Sequence, residues 1–171
     1  MSMAIEQQIV RLQQRISELY QAGQFEQALA VAREVCSLVR PWVGERHPDF
    51  ATSLNNLALL YKGMGDHAAA LPLLRQALEV RRAALGEAHP SFARSLNNLA
   101  ALYQAKGDHA GALPLYRQAL EATRATLGEA HPDFAASLNN LAALYQAMGD
   151  HAAALPLYRQ ALEVNLSLIH I

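Results

Sequence analysis

The feature that most constrains this chain is a sequence module that recurs with a period of about 42 residues, which lies in the range typical of repeat architectures. Four glycines mark this period at equal intervals: Gly23, Gly65, Gly107 and Gly149. Self-similarity at such a period is the signature of stacked repeats, in which each unit contacts only its neighbours. The chain of 171 residues is therefore expected to contain four copies of one module rather than a single globular core.

Each module contains two short segments that recur almost letter for letter. The first segment is Leu54-Asn55-Asn56-Leu57-Ala58, and it returns at positions 96–100 and 138–142. The second segment opens with Gly65-Asp66-His67 and returns from positions 107 and 149. The first copy carries Leu12-Gln13-Gln14 instead, so we expect it to form a divergent N-terminal cap whose outer face meets water.

Apolar spacing predicts two helices in each module. The first module has one helix from about Ile5 to Tyr20 and a second from Phe25 to about Pro41. Later odd-numbered helices are expected to begin at His-Pro pairs, because a proline at the first helical position gives up an N–H that has no partner there. These pairs are His47-Pro48, His89-Pro90 and His131-Pro132.

Two further predictions concern helix ends. Gly86 and Gly128 follow even-numbered helices and suit left-handed C-terminal caps. If the even-numbered helices begin near Ala68, Ala110 and Ala152, a proline that would be costly deep inside a helix lies near each first turn. The prolines concerned are Pro72, Pro114 and Pro156.

The predicted fold class is all-α, an α-solenoid of four antiparallel helix pairs without strands. On the third helix, one apolar face comprises Phe50, Leu54, Leu57, Ala58 and Tyr61. It is expected to pack against Ala70, Leu74, Ala77 and Leu78 of the next helix. We interpret 1–171 as a single solenoid with repeats at about 5–46, 47–88, 89–130 and 131–165 and an atypical tail at 166–171.

The pattern Leu54-x-x-Leu57-Ala58-x-x-Tyr61, followed by Ala70-x-x-x-Leu74-x-x-Ala77, resembles the tetratricopeptide repeat (TPR). Leu54 replaces the usual tryptophan of that family and Ala58 the usual glycine. The long period and the Leu-Gly-Glu-Ala-His-Pro connection are similar to the long repeats of kinesin light chains. This resemblance implies a right-handed superhelix that serves as a non-catalytic scaffold for protein binding.

The resemblance also implies that the odd-numbered helices line a concave groove that holds an extended peptide or a partner helix. Carried onto this chain, the groove residues are Thr52, Asn55, Asn56, Leu59, Lys62, Arg94, Asn97, Asn98, Ala101, Gln104, Ala136, Asn139, Asn140, Ala143 and Gln146. The formal charges in this set are positive, so a peptide with acidic and apolar side chains is favoured over a basic one.

The six asparagines of this groove are unusual because asparagine is a poor residue for a helix interior. In one interpretation, their amides bind the backbone of a peptide ligand. In the other, they form hydrogen bonds between neighbouring odd-numbered helices and keep the stack in register. Both interpretations remain open from the sequence.

Several other functions are not indicated. Each Asp-His pair recurs at a turn, where the aspartate is expected to cap the next helix, and no compact ligand set predicts a metal. No triad of catalytic residues stands outside the repeat pattern, so neither an enzyme nor a cofactor is expected. The net charge of −1 and the lack of a basic stripe disfavour nucleic acid. Cys36 occupies the position of Leu78, Leu120 and Leu162 and is expected to be a small core residue.

No apolar stretch is long enough to cross a bilayer, and no basic region followed by an apolar run indicates a secretory signal. A cytoplasmic protein with protein partners is the resulting expectation.

A second hypothesis is a structural segment that self-associates end to end. The last module departs from the pattern into Asn165-Leu166-Ser167-Leu168-Ile169-His170-Ile171, and repeat arrays generally need a polar capping unit. Two alternatives remain open: the chain is a fragment of a longer array, or these final residues are not native to the repeat protein.

Overall fold

The computed structural model describes residues 3–169, which form eight α-helices and no strand. In chain order the helices are α1 (Met3–Gln21), α2 (Phe25–Val43), α3 (Pro48–Gly63), α4 (His67–Leu85), α5 (Pro90–Ala105), α6 (His109–Leu127), α7 (Pro132–Ala147) and α8 (His151–Ile169). The all-α prediction is confirmed. Leu166 and Leu168 of the predicted tail continue α8, whereas residues 170–171 lie outside the described range.

The odd-numbered helices α3, α5 and α7 begin at the predicted prolines, and a histidine caps each of them. The ring Nδ1 of His47 accepts a hydrogen bond from the backbone N–H of Asp49 at 3.2 Å. His89 accepts from Ser91 at 3.1 Å, and His131 accepts from Asp133 at 3.0 Å. The histidine that precedes each proline therefore satisfies a backbone donor that the helix itself leaves without a partner.

The helices α4, α6 and α8 begin one residue earlier than predicted, because the aspartate of each Gly-Asp-His turn caps them. Asp108 Oδ1 accepts from the Gly111 N–H at 2.8 Å, and Asp66 and Asp150 make the equivalent bonds. Pro72 is therefore the sixth helical residue, one position further from the helix start than predicted. The exposure of Pro72 reduces the cost, because water can reach the carbonyl that the missing N–H leaves free.

The connections after the long helices contain glycines with positive φ angles. At Gly128 the φ angle of 82° is positive as predicted, but the ψ angle of 168° is extended and not left-handed helical. This backbone region is nearly exclusive to glycine. The Gly128 N–H still bonds to the Arg124 carbonyl, so the end of α6 is closed by a backbone hydrogen bond.

The chain divides into two compact units, residues 1–84 and 85–171. In the first unit, Phe50 and Leu54 of α3 form a buried cluster with Ala77 of α4 and with residues of α1 and α2. Ala58 and Ala70 are fully buried, as expected where two helices approach closely. The interpretation of 1–171 as one solenoid domain stays a prediction.

The second unit repeats this packing with α5 to α8. Ala100 and Ala112 form a buried cluster with Tyr116, Leu141 and Leu144, so three consecutive helices share one core. The partner cluster lies between α7 and α8 and contains Phe134, Leu138 and Ala161. On the outside of the unit, Arg117 donates a 2.5 Å hydrogen bond to the Tyr145 hydroxyl. Arg33 and Tyr61 form the matching pair in the first unit.

Candidate functional site

An open groove of about 780 Å³ lies between the odd-numbered helices α1 and α3 of the first unit. The helix α3 contributes Thr52, Asn56, Leu59, Leu60, Lys62 and Gly63, and α1 contributes Gln13, Ile16, Ser17, Tyr20 and Gln21. Most of the lining surface is apolar, with amide and hydroxyl groups interspersed. The groove therefore suits a chain segment that has both apolar side chains and backbone polar groups.

Four of the five residues predicted on α3 line this groove, namely Thr52, Asn56, Leu59 and Lys62. Asn55 does not line it, because only 7% of the residue is exposed. The residues on α1 were missed because the first module was interpreted as a divergent cap. The repeat period contains the signal that was overlooked, since Gln13, Ser17 and Tyr20 lie one period before Asn55, Leu59 and Lys62.

Tyr20 and Gly63 shape one end of the groove. The Tyr20 ring lies against Gly63, and a Cβ atom at Gly63 would be 3.5 Å from the ring, which is ordinary contact. The Tyr20 ring also meets Phe25 in an edge-to-face arrangement with ring centroids 5.3 Å apart. An aromatic contact of this kind fixes the ring orientation and keeps its other surface available to a ligand.

Among the described residues that line this groove, Lys62 is the only one that is charged at neutral pH. Partial burial lowers the pKa of Lys62, because removal from water disfavours the charged ammonium. Within residues 3–169 the ammonium has no carboxylate partner at ion-pair distance. A ligand carboxylate next to Lys62 would stabilise the charged form of the ammonium.

The second unit presents the remaining predicted residues on α5 and α7. Asn97, Asn98, Ala101, Gln104, Asn139, Asn140 and Ala143 are half-buried, and Arg94, Ala136 and Gln146 are exposed. The Tyr116 hydroxyl donates a 3.0 Å hydrogen bond to Gln104 Oε1, and the Tyr158 hydroxyl does the same for Gln146 Oε1. Tyrosines on the even-numbered helices therefore hold the glutamine side chains at the ends of α5 and α7.

Asn97 connects neighbouring helices of the second unit. Its Nδ2 donates to the Ser137 hydroxyl on α7 at 3.3 Å. Ser137 is also 3.4 Å from the Thr123 hydroxyl on α6, which in turn donates to the Ala119 carbonyl. The Asn97 Oδ1 atom is buried and has no hydrogen-bond partner within the described residues. This asparagine therefore has a contact of the stack-forming type, whereas a ligand contact stays a prediction.

The cysteine and the side chains that could bind a metal do not indicate a second site within residues 3–169. Cys36 is half-buried against the core of the first unit, and burial raises the pKa of its thiol to about 11. This agrees with a packing role, because the reactive thiolate is strongly disfavoured. Across residues 3–169, no group of three or more His, Cys, Asp or Glu side chains has a metal-binding arrangement. Over the same span, none of the helices combines the length and apolar character needed to cross a membrane.

A first pair of 19-residue helices is followed by three pairs of 16 and 19 residues at a fixed period, and this arrangement defines a helical-hairpin repeat protein with an exposed groove. Two family models, both described as Tetratricopeptide repeat, match residues 50–91 and 91–167. Together they match more than half of the chain, and the chain belongs to the tetratricopeptide repeat family. A comparison with curated proteins finds no match.

Solved structures agree with this assignment. BtubC (BKLC) from P. vanneervenii has a TM-score of 0.79 at 23% identity, over 91% of this chain and 62% of that one. The nearly identical TPR-like repeats of a candidate kinesin light chain from Podosopora anserina give 0.71 at 25% identity, over 96% and 88%. MamA gives 0.65 at 15% identity, over 95% and 81%. The chain spans less than two thirds of BtubC, and its repeats resemble those of the kinesin light chain type.

Proposed function

We propose that this chain is a non-catalytic scaffold that binds an extended peptide or a partner helix in the groove of its odd-numbered helices. The family membership supports a role in protein–protein interaction. The proposal that a peptide or helix binds in the groove is supported by the open groove between α1 and α3. Four predicted residues of α3 line this groove together with five residues of α1. A location in the cytoplasm remains a prediction.

The charge of the groove favours a ligand with acidic and apolar side chains. Lys62 supplies a positive charge beside the apolar surfaces of Leu59, Ile16 and Tyr20, and no acidic residue lines the same groove. A partly desolvated ion pair with Lys62 is stronger than one at an open surface. Because the groove holds one charge, this preference is expected to amount to no more than about 1 kcal/mol.

The proposal is tested with a labelled peptide selected on the wild-type chain from a random library. Leu59→Arg places a large cation in the groove and is expected to weaken binding at least tenfold. Leu162→Arg is the matched control, because Leu162 lies on α8 outside the groove and is 58% exposed. Equal affinity of both variants for the peptide would reject the groove as the binding surface.

The second candidate function is end-to-end self-association through α8. Leu155, Leu162 and Leu166 form a stripe along this helix with exposures of 51%, 58% and 46%. Leu113 and Leu120 of α6 are equivalent to Leu155 and Leu162; they are half-buried and pack against a cluster that includes Leu141 and Leu144 of α7. Arg124 is the equivalent of Leu166. The exposed leucines Leu155 and Leu162 of α8 therefore occupy the repeat positions that contact the next helix in α6. In this hypothesis, a second copy of the chain covers them.

Sedimentation over a wide concentration range tests the second candidate. The wild-type chain is expected to associate as concentration rises, and Leu162→Arg is expected to remain monomeric. Leu59→Arg serves here as the control and should associate like the wild type. A wild-type chain that stays monomeric at high concentration would remove this candidate and leave the groove as the proposed interaction surface.

A further inference from the structure

The outer face of α8 repeats a surface that contacts the next helix one repeat earlier. On α6, two leucines pack against a cluster that α7 helps to form, and an arginine donates a hydrogen bond to the Tyr145 hydroxyl of α7; these residues are Leu113, Leu120 and Arg117. On α8 the same repeat positions hold two leucines and an arginine, all exposed, namely Leu155, Leu162 and Arg159. Because α6 and α7 are joined by a short connection, this kind of surface packs against an antiparallel helix.

The helix α1 of a second copy does not match this surface. The residues of α7 that join the cluster with α6 are Leu141 and Leu144. Three periods earlier, the same positions on α1 hold Arg15 and Glu18, which are exposed and form an ion pair at 3.3 Å. Packing Arg15 and Glu18 against leucines would remove two charged groups from water, which costs free energy. Head-to-tail stacking of α8 on α1 is therefore disfavoured.

The helix α8 is instead complementary to a second copy of itself. Arg159 and Glu163 follow Leu155 at four-residue steps, so both lie on the same flank of the leucine stripe. Both are exposed, and neither forms an ion pair within residues 3–169. They stand two residues before and two residues after Ala161. A two-fold axis near Ala161 would relate two antiparallel copies of α8 and place Arg159 of each copy opposite Glu163 of the other. The same axis would bring Leu155 beside Leu166 of the second copy.

We infer that two copies of this chain pair through antiparallel α8 helices about a two-fold axis. The leucine stripes bury apolar surface against each other, and the two Arg159–Glu163 pairs along one flank fix the antiparallel direction. In such a contact the same surface is used by both copies, so association ends at the dimer and does not continue into a filament. This inference rests on the second candidate function and specifies the surface of the second copy and the symmetry of the pair.

The first test is sedimentation equilibrium of the full chain over a wide concentration range. The average mass of the wild-type chain is expected to rise to twice the mass of one chain and then stay constant. Leu162→Arg places a cation in the centre of the leucine stripe and is expected to remain monomeric at the same concentrations. Arg15→Glu is the matched control on the outer face of α1, and it should dimerise like the wild type.

The second test exchanges charges to examine the antiparallel direction. Arg159→Glu places two carboxylates opposite each other in the dimer, and Glu163→Arg places two cations opposite each other. Each variant alone is therefore expected to dimerise about fivefold more weakly than the wild type at low salt. An equimolar mixture of the two variants restores both opposite-charge pairs, so its dimerisation should approach that of the wild type. High salt should reduce these differences, and melting curves of all variants check that the fold is retained.

Three outcomes would overturn this inference. The first is a mass that grows beyond two copies, and the second is a mixture of the charge variants that associates no better than each variant alone. In both cases, if Leu162→Arg still prevents association, the second candidate function stands and only the two-fold pairing of α8 fails. The third outcome is a wild-type chain that stays monomeric, which would remove the second candidate function as well. The peptide-binding groove, which is tested with Leu59→Arg, would not be affected by any of these results.

Discussion

The two units present different chemistry at the same repeat position. In the second unit, Gln104 and Gln146 each accept a hydrogen bond from a tyrosine of the following helix. In the first unit the position is Lys62, and Leu74 replaces the tyrosine and is 1% exposed. Where the even-numbered helix offers a hydroxyl, an amide is held in place. Where the even-numbered helix has a leucine at this position, no hydroxyl contacts the groove residue, and Lys62 keeps its ammonium in the groove.

This difference shows that the repeats share the same core packing while the polar side chain that faces the groove changes from one repeat to the next. Leu74, Tyr116 and Tyr158 occupy one core position, and the first two are almost completely buried. A leucine and a tyrosine ring both fill that space, but only the tyrosine reaches the groove side chain. Within this chain the leucine at position 74 therefore accompanies the lysine at position 62, whereas the tyrosines accompany glutamines.

The largest expected effect concerns a core position that occurs in both units. Leu144 is fully buried between α5, α6 and α7, and Leu60 holds the same repeat position in the first unit. Leu144→Ala and Leu60→Ala are each expected to lower the free energy of unfolding by about 2 to 5 kcal/mol, because each leaves a cavity. Urea denaturation measures both.

The partly exposed Leu59→Ala is the control and should cost well under half as much. Losses below about 1 kcal/mol for Leu144→Ala would contradict the packing described for the second unit.

The second comparison concerns two asparagines of the second unit, Asn97 and Asn139, and asks whether their amides stabilise the helix stack or bind a ligand. Asn97 donates to Ser137, so Asn97→Ala is expected to destabilise by about 1 kcal/mol, the net value of one hydrogen bond. Asn139→Ala is expected to hold or raise the melting temperature, because alanine is about 0.5 kcal/mol better in a helix. Thermal melts test both variants, and binding of the selected peptide tests whether Asn139 contacts a ligand.

A large fall in melting temperature for Asn139→Ala would assign both asparagines to the stack. An unchanged melting temperature for Asn97→Ala would instead make the Ser137 contact irrelevant to stability.

The sequence predicted the helices well because their signals are local and repeated. The His-Pro starts and the apolar faces follow directly from residue type and spacing. The histidine caps were not predicted, since imidazole is an uncommon cap and its role depends on the ring orientation at His47, His89 and His131. The α1 side of the groove was missed because the first module looked divergent, although Tyr20 and Ser17 occupy groove positions.

The glutamine–tyrosine contacts also could not be predicted from the sequence. Gln104 and Tyr116 lie in different helices, and their contact depends on how those helices pack. The sequence indicated that Gln104 faces a groove, but the side-chain atom available to a ligand is set by a partner across the hairpin.

A smaller effect is expected at the histidine caps, where one repeat differs from the others. The His47 ring is 3.6 Å from the Asp49 carboxylate, and His131 has Asp133 at the same position, whereas Ser91 stands two residues after His89. His89→Ala is expected to cost roughly 0.5 to 1 kcal/mol through loss of the cap to the Ser91 N–H. His89→Asn should restore most of this loss, since asparagine is a strong N-cap residue.

Urea denaturation of the three proteins measures the difference. If His89→Asn were no more stable than His89→Ala, the imidazole hydrogen bond would not be the source of the stabilisation.

The smallest expected effect exchanges the chemistry of the two units. The double substitution Lys62→Gln/Leu74→Tyr gives the first unit the glutamine and tyrosine of the second. The groove then loses the only charge that lines it, so affinity for an acidic peptide should fall about threefold at low salt. The salt dependence of that affinity should fall with it, because screening acts on the lost ion pair.

Lys62→Gln alone should give the same loss of salt dependence but leave the introduced amide unpositioned, since Leu74 offers no hydroxyl. Titrations at low and high salt with an acidic peptide and its neutral glutamine analogue separate charge from shape. If both peptides lose affinity equally, Lys62 contributes packing rather than charge, and the proposed preference for acidic ligands is wrong.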